Sequence, residues 1–214
     1  SNVFYELTIV DGWEKYQVKK MLLDKFNTEI NLDYNEILAD TYNYQSTDSI
    51  KKIIQLMKNN KSIFFNKNKN KAIFKKYKIN EIMVIASLIE KEGIDDFDKK
   101  MISSVIFNRL NIGMKLQIDA STIFSITKGE RKLENKLRIK DLKIQDKYNT
   151  YYIHGLPPNP ICYVGRKTIE IVLENYKSDY LFYFYDKYLE KHIYSKSFKE
   201  HKNKLQEYRK KNAK

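Results

Sequence analysis

Apolar residues recur every three or four positions through most of the chain, which is the spacing of amphipathic helices. Several of these stretches begin beside a capping residue, such as Asp48 or Asp95, or end near a glycine, such as Gly93 or Gly113. The pattern predicts helices over residues 14–26, 47–57, 71–77, 81–92, 95–111, 168–174 and 197–209.

Alternation of polar and apolar residues, which is typical of strands, occurs near the two ends of the chain. Residues 3–10 are predicted to form a strand that ends at the Asp11-Gly12 turn, and residues 180–185 a short aromatic strand with 192–195 as its hairpin partner. Strands at both ends with helices between them predict an α+β fold, in which short strands flank a helical core.

The conformation of two stretches between these elements is less clearly marked by periodicity and is predicted from their residue types. Residues 59–70 are rich in Lys and Asn, and either join a small N-terminal piece to the main body or continue the second helix across a solvated face. Residues 115–125 are expected to be extended chain leading into a short helix, followed by loop or short helix over 128–146.

One acidic residue lies on the apolar face of the predicted 81–92 helix, for which Asn80 is the expected N-cap and Gly93 the end. At about 100° per residue, the aliphatic side chains of Ile85, Leu88 and Ile89 all fall within roughly 60° of the Glu92 direction. Glu90 projects to the opposite side. The two carboxyl groups are therefore expected to occupy different environments.

Burial disfavours the charged form of Glu92, and so does the negative end of the helix dipole, because Glu92 lies in the last turn. Both effects raise its pKa and favour a carboxylic acid that is protonated near neutral pH, which is what a general acid requires. The alternative is that the helix frays at Lys91 and that Glu92 reaches water at its end.

The formal net charge of +13 is typical of proteins that bind nucleic acids. Only five of the 40 basic residues are arginine, however, and planar recognition of phosphates and bases favours arginine over lysine. Abundant Lys, Asn and Ile indicate a compositional bias, and a basic surface would equally suit a polyanionic cell-wall polymer with peptide carboxylates. We therefore expect no nucleic-acid partner.

The sequence offers no motif for a metal or cofactor site, and none is predicted. The single cysteine, Cys162, cannot form an intrachain disulfide, and no histidine has a spacing that specifies it as a partner, so a small buried thiol is expected. No apolar run approaches the roughly 18 residues needed to cross a bilayer.

Polar and aromatic side chains accumulate in the segments that follow Glu92. Asn108 shares a helix face with Met101 and Val105, Gln117 and Asp119 are predicted to alternate on one face of an extended segment, and an aromatic-amide run spans 148–151. Each has an ordinary structural explanation, as a helix cap, strand-face polar groups or packed aromatics. Together they provide an acid, amide groups and aromatic faces, which are the components of a sugar-binding cleft.

These segments resemble motifs of the MltG (YceG-like) endolytic murein transglycosylase family. The stretch 86–92 (ASLIEKE) is similar to the family's A-S-[IL]-[IV]-E-K-E signature, and 105–119 to its V-F-I-N-R-L-x-x-G-M-x-L-Q-x-D motif. Residues 148–151 with 155–158 match a Y-N-T-Y…G-L-P-P block, and 180–184 with 195–202 match the C-terminal strand pair and helix. Departures occur at Ala120, where the family often has proline, and over 161–165, which lacks a proline before the glycine.

The resemblance implies a domain division and a set of site residues. Residues 1–70 would be the remainder of a LysM-like or linker region and 71–214 the catalytic domain. The second glutamate of E-K-E is the catalytic residue of the family, which corresponds to Glu92. The substrate-binding residues expected from the matched motifs are Asn108, Arg109, Gln117, Asp119, Tyr148, Asn149, Thr150 and Tyr151.

The implied reaction is cleavage of the β-1,4 bond between N-acetylmuramic acid and N-acetylglucosamine in peptidoglycan glycan strands, which leaves a 1,6-anhydro end. The implied setting is the bacterial cell envelope, outside the cytoplasmic membrane, with peptidoglycan synthases as possible partners. The resemblance implies that the N-terminal membrane anchor of the family, and most of its LysM-like region, would lie outside this sequence.

Two other functional classes remain open. One is a lysozyme-like hydrolase in which Glu92 is the acid and Asp119 the second carboxylate. The other is a non-catalytic module that binds cell-wall glycan or nucleic acid.

Overall fold

The computed structural model describes residues 3–211. Within that range the chain forms seven α-helices and four short β-strands. The helices are α1 (Lys15–Phe26), α2 (Ile50–Asn68), α3 (Ile79–Glu92), α4 (Asp96–Asn111), α5 (Asp119–Thr127), α6 (Arg166–Glu174) and α7 (Phe198–Lys211). The strands are β1 (Phe4–Thr8), β2 (Thr41–Gln45), β3 (Phe182–Asp186) and β4 (Lys191–Ser195).

The strands form two antiparallel pairs, one near each end of the chain. In the first pair, Phe4 lies opposite Gln45 and Thr8 opposite Thr41. In the second pair, a hairpin, Phe182 lies opposite Ser195 and Asp186 opposite Lys191. The predicted α+β fold is confirmed, with β2 as an additional strand that the sequence pattern did not indicate.

Helix α3 forms the centre of the core and packs against α4, α5 and α6. Every residue from Ile82 to Ile89 is buried, so the helix is surrounded by protein along most of its length. The hydrophobic cluster around it also contains Leu7, Ile9 and Leu22. Residues on both sides of the predicted boundary at residue 70 thus contribute to one core, and the division into two domains stays a prediction.

Backbone hydrogen bonds join the N-terminal segment to the chain just before α6. The N–H of Gly12 donates to Tyr163 O at 2.9 Å, and the N–H of Tyr163 donates to Trp13 O at 2.8 Å. Ala39 N–H donates to Val164 O at 2.9 Å. An ion pair between Lys91 and Glu14 at 2.8 Å holds the start of α1 near the C-terminal end of α3.

Two helix boundaries differ from the sequence prediction or decide between its alternatives. Helix α2 continues to Asn68, so residues 59–70 mostly extend the helix across a solvated face. Helix α3 begins after Lys78, whose N–H donates to the Glu81 carboxylate at 2.8 Å. Asn80 is therefore not the N-cap, and its side-chain amide instead donates to Pro158 O at 3.0 Å. None of the helices within 3–211 combines the length and apolar content needed to cross a membrane.

Candidate active site

Glu92 is the last residue of α3, and the helix is intact up to that point. The N–H of Gly93 donates to Ile89 O at 2.8 Å, which completes the final turn. Fraying at Lys91 is therefore excluded as the explanation for the acidic residue. The Glu90 carboxylate lies elsewhere, paired with Lys99 at 2.5 Å, so the two glutamates do occupy different environments.

The Glu92 carboxyl group opens into a cleft of about 330 Å³. The cleft is bordered by the end of α3, by α4, by the segment leading into α5 and by the β3–β4 hairpin. Its lining residues are Glu92, Arg109, Leu116, Gln117, Asp119, Tyr151, Tyr183, Phe184, Tyr185 and His192.

The pKa of Glu92 is raised from its ordinary value of 4.5 to about 7. Burial is the main cause, because it penalises the charged form, and the negative charge of Asp119 adds to it. The charge of His192 and hydrogen bonds from the Ala120 N–H and the Tyr183 hydroxyl act in the opposite direction. The outcome is a carboxyl group that exchanges its proton near neutral pH, as the helix pattern predicted.

A second carboxylate, Asp119, lies on the wall of the same cleft as the first residue of α5. Its side chain is exposed and accepts a hydrogen bond from the Tyr151 hydroxyl at 2.6 Å. Gln117 adopts a left-handed backbone conformation with φ of +52°. The prediction that Gln117 and Asp119 alternate along an extended segment is therefore wrong, although both reach the cleft.

The β3–β4 hairpin contributes side chains that the sequence did not single out as site residues. The Tyr183 hydroxyl donates to Glu92 Oε2 at 3.4 Å, and the His192 ring packs edge-on against the Tyr183 ring. Tyr183 and Tyr185 are two residues apart and share a face with their cross-strand partners, His192 among them. The alternation along β3 is visible in the sequence. The sequence does not show, however, that this face of the hairpin lies against Glu92.

His192 is held in place by Asp98 of α4. The distance from His192 Nδ1 to Asp98 Oδ2 is 2.8 Å, and the Tyr194 hydroxyl donates to Asp98 Oδ1 at 2.6 Å. Burial alone would raise the pKa of Asp98, but the hydrogen bonds from His192 and Tyr194 outweigh it and leave that pKa below its ordinary value. A charged Asp98 thus fixes the orientation of the imidazole at the cleft.

Arg109 borders the cleft but directs its guanidinium to backbone carbonyls. Its Nε donates to Leu181 O and one terminal nitrogen donates to Leu116 O, each at 2.6 Å. These bonds connect α4 both to the segment before α5 and to the start of β3. Arg109 therefore joins two walls of the cleft.

A sequence model of the YceG-like family matches residues 1–207. The chain belongs to the YceG-like family. It is 33% identical over 187 residues to an endolytic murein transglycosylase of Bacillus subtilis, covering 86% of this chain. It is 31% identical over 174 residues to a protein of the same name from Streptococcus pneumoniae, covering 78% of this chain.

A solved structure supports the assignment of the fold. A crystal structure of a yceG-like protein from Listeria monocytogenes superposes with a TM-score of 0.77 at 26% sequence identity, covering 94% of this chain and 75% of that one. The chain spans 51% of the length of the Bacillus relative and 31% of that of the Streptococcus relative.

Three of the predicted binding residues of this YceG-like chain have their polar groups bonded within the protein. The Asn108 amide donates to Ser178 O and Tyr180 O, both at 2.8 Å. Asn149 is fully buried and donates to Leu142 O and Ile144 O. The buried hydroxyl of Thr150 accepts from Ile118 N–H at 2.9 Å. None of the three lines the cleft, because their polar groups anchor the loops that form it.

Tyr148 lines a different pocket of the YceG-like fold. That pocket has a volume of about 220 Å³ and also includes Tyr34, Phe124 and Asn159. Of the predicted set, the structure therefore brings Glu92, Arg109, Gln117, Asp119 and Tyr151 together in one cleft. The binding roles of all these residues stay predictions.

The remaining candidates for chemistry lie outside the cleft. Cys162 is fully buried with its Sγ 3.5 Å from Ser87 O, and burial raises its pKa. The expectation of a small buried thiol is confirmed. Within residues 3–211, no group of three or more His, Cys, Asp or Glu side chains is arranged to hold a metal ion.

Proposed function

We propose that this chain carries the catalytic domain of an endolytic peptidoglycan transglycosylase, with Glu92 as its catalytic acid and base. The observation that carries the proposal is the position of the Glu92 carboxyl, partly buried at the base of a cleft with polar and aromatic walls. The names of the two relatives, endolytic murein transglycosylase, support the same substrate class.

The proposed reaction uses one carboxyl group twice. Glu92 donates its proton to the oxygen of the bond between N-acetylmuramic acid and N-acetylglucosamine, and that bond breaks with the electron pair on the leaving oxygen. The carboxylate of Glu92 then removes the proton of the muramyl 6-hydroxyl, whose oxygen attacks the anomeric carbon. A 1,6-anhydro ring forms, Glu92 is protonated again and no water is consumed.

The electrostatics of the cleft suit both halves of this cycle. A group whose pKa is about 7 gives up and recovers a proton at neutral pH with little free-energy cost. The exposed Asp119 side chain, bonded to the Tyr151 hydroxyl, provides negative charge near the sugar while positive charge develops at the anomeric carbon. Gln117 would bond to the polar groups of the glycan, and the ring of Tyr151 would pack on a sugar face.

The proposed substrate places the domain in the bacterial cell envelope, outside the cytoplasmic membrane. A membrane anchor elsewhere in the whole protein would hold the cleft close to newly made glycan. Peptidoglycan synthases are the partners expected in that setting.

A second candidate is a lysozyme-like hydrolase, which the presence of two carboxyl groups in one cleft favours. Mass spectrometry of purified glycan strands digested by the protein separates the two reactions. The transglycosylase leaves muramyl ends lighter by one water than those of a hydrolase. Anhydro ends are the expected result, and digestion products with only hydrated reducing ends would overturn the proposal.

A further inference from the structure

A second groove, larger than the catalytic cleft, lies beside α5. It has a volume of about 630 Å³ and is formed by the start of α1, the end of α3, α5 and the loop after α5. Its lining includes Trp13, Tyr16, Ile123, Arg131, Lys132 and Lys136. We call it the Trp13 groove.

The Trp13 groove and the catalytic cleft are lined by different residues, which are neighbours along two helices. Asp119 of the cleft and Ile123 of the groove are four residues apart on α5, so they share one face of that helix about 6 Å apart along its axis. Glu92 of the cleft and Lys91 of the groove are adjacent at the end of α3. A polymer that leaves the cleft along α5 would therefore enter the groove.

The groove offers aromatic surface to such a polymer. Trp13 and Tyr16 are partly exposed and lie beside Ile123 and Leu133. Aromatic rings with a polar edge present an apolar face together with a hydrogen-bonding group. This combination matches a sugar ring, whose C–H faces are apolar and whose edge carries hydroxyl and amide groups.

The loop side of the groove carries unpaired positive charge. Arg131, Lys132 and Lys136 are exposed, and within residues 3–211 none of them forms an ion pair or side-chain hydrogen bond. By contrast, Lys91 is paired with Glu14 at 2.8 Å. Of the loop residues that line the groove, Glu134 is the acidic one, so the loop lining has a net positive charge that suits carboxylates. The acidic lining residues Asp11 and Glu14 lie at the start of α1 instead.

We infer that the Trp13 groove binds a disaccharide-peptide unit of the glycan strand that flanks the unit in the cleft. The sugar packs on Trp13 and Tyr16, and the carboxylates of its peptide stem lie against Arg131, Lys132 and Lys136. An enzyme that cuts within a strand must hold sugar on both sides of the bond. The inference rests on the proposed function and adds to it the site of a neighbouring unit.

Trp13 is the one tryptophan of the chain, so its fluorescence reports on this groove directly. The experiment titrates the Glu92→Gln protein, which should bind without cutting, with soluble uncross-linked glycan fragments that carry peptide stems. We expect a saturable change in tryptophan emission. Binding measured by calorimetry without any change in emission would overturn the inference, while anhydro products from the unmodified protein would leave the proposed function standing.

A variant that lacks the positive charges of the loop tests whether the groove binds the carboxylates of the peptide stem. Replacing Arg131, Lys132 and Lys136 together with Gln should weaken binding of stem-bearing fragments about five- to tenfold, because exposed charge pairs are individually weak. The matched control replaces Lys199, Lys202 and Lys210, three exposed lysines of α7, with Gln. Equal weakening in both triple variants, or the same loss with fragments that lack stems, would contradict a carboxylate-binding role for the groove.

Discussion

The Tyr151 hydroxyl donates a 2.6 Å hydrogen bond to Asp119, on the wall of the cleft that holds Glu92. The bond fixes one carboxylate at the exposed side of the cleft, while the other carboxyl is partly buried at the end of α3. The negative charge of Asp119 contributes to the raised pKa of Glu92. The protonation of Glu92 should therefore respond to a change at Asp119.

Asp119→Asn should lower the pKa of Glu92, because it removes a negative charge that disfavours the Glu92 carboxylate. The activity that depends on protonated Glu92 should then decline at a lower pH, by a fraction of a pH unit. The measurement is kcat/KM for glycan cleavage between pH 5 and pH 9, with Asp24→Asn on the exposed surface of α1 as the control. A shift of the alkaline limb to higher pH would contradict the coupling.

Tyr183→Phe should move the alkaline limb of the pH profile of kcat/KM to higher pH, opposite to the effect of Asp119→Asn. Its hydroxyl donates to Glu92 Oε2 and thereby stabilises the carboxylate. Without that donor the pKa of Glu92 should increase, and activity should persist to higher pH. Tyr176→Phe, at an exposed site, removes an equivalent hydroxyl outside the cleft and should leave the profile unchanged. If the two variants behave alike, the Tyr183 contact has no effect on Glu92.

Glu92→Gln should increase the stability of the folded protein at alkaline pH. A carboxyl whose pKa is raised from 4.5 to about 7 binds its proton more tightly in the folded state, so its contribution favours folding below about pH 4.5 and is lost as the pH rises through 7. The loss amounts to at most roughly 3 kcal/mol. The free energy of unfolding, measured by urea denaturation, should differ little between the variant and the unmodified protein at pH 4.5. The variant should be clearly more stable at pH 8, and a constant difference at both pH values would argue against the raised pKa.

Asn149→Ala should destabilise the fold by about 2–3 kcal/mol, because it leaves the carbonyls of Leu142 and Ile144 and the hydroxyl of Thr122 without their partner in a buried site. Thermal denaturation measures this, with Asn203→Ala on the exposed face of α7 as the control. If Asn149 instead bound glycan directly, the variant would have nearly the original melting temperature and a raised KM.

The local part of the site was predictable from sequence, because it depends on helical periodicity. Glu92 follows Ile85, Leu88 and Ile89 on one helix face, and that spacing alone places it at the edge of the core. The opposite wall of the cleft was not predictable in this way. Tyr183 is 91 residues from Glu92 in the chain, and the contact exists only because the hairpin folds back over α3 and α4.

Three of the predicted binding residues have polar groups that bond within the protein, which the sequence did not indicate. Asn108, Asn149 and Thr150 belong to the motifs that carry the family resemblance, and polar side chains near a cleft are natural candidates for substrate contacts. Their polar groups instead bond to nearby backbone carbonyls and to the side chains of Ser121 and Thr122. A buried amide must satisfy its donors within the protein, and sequence does not indicate whether its partner is a substrate or a loop.

The most direct test of the central claim is the cleavage of purified glycan strands by Glu92→Gln, measured against Glu170→Gln. Both variants replace one carboxylate with an amide, and Glu170 is exposed on α6. We expect Glu92→Gln to lose cleavage by at least about a hundredfold, since proton transfer by a positioned acid contributes roughly that much or more, while Glu170→Gln retains full activity. Undiminished release of anhydro ends by Glu92→Gln would show that another group supplies the proton.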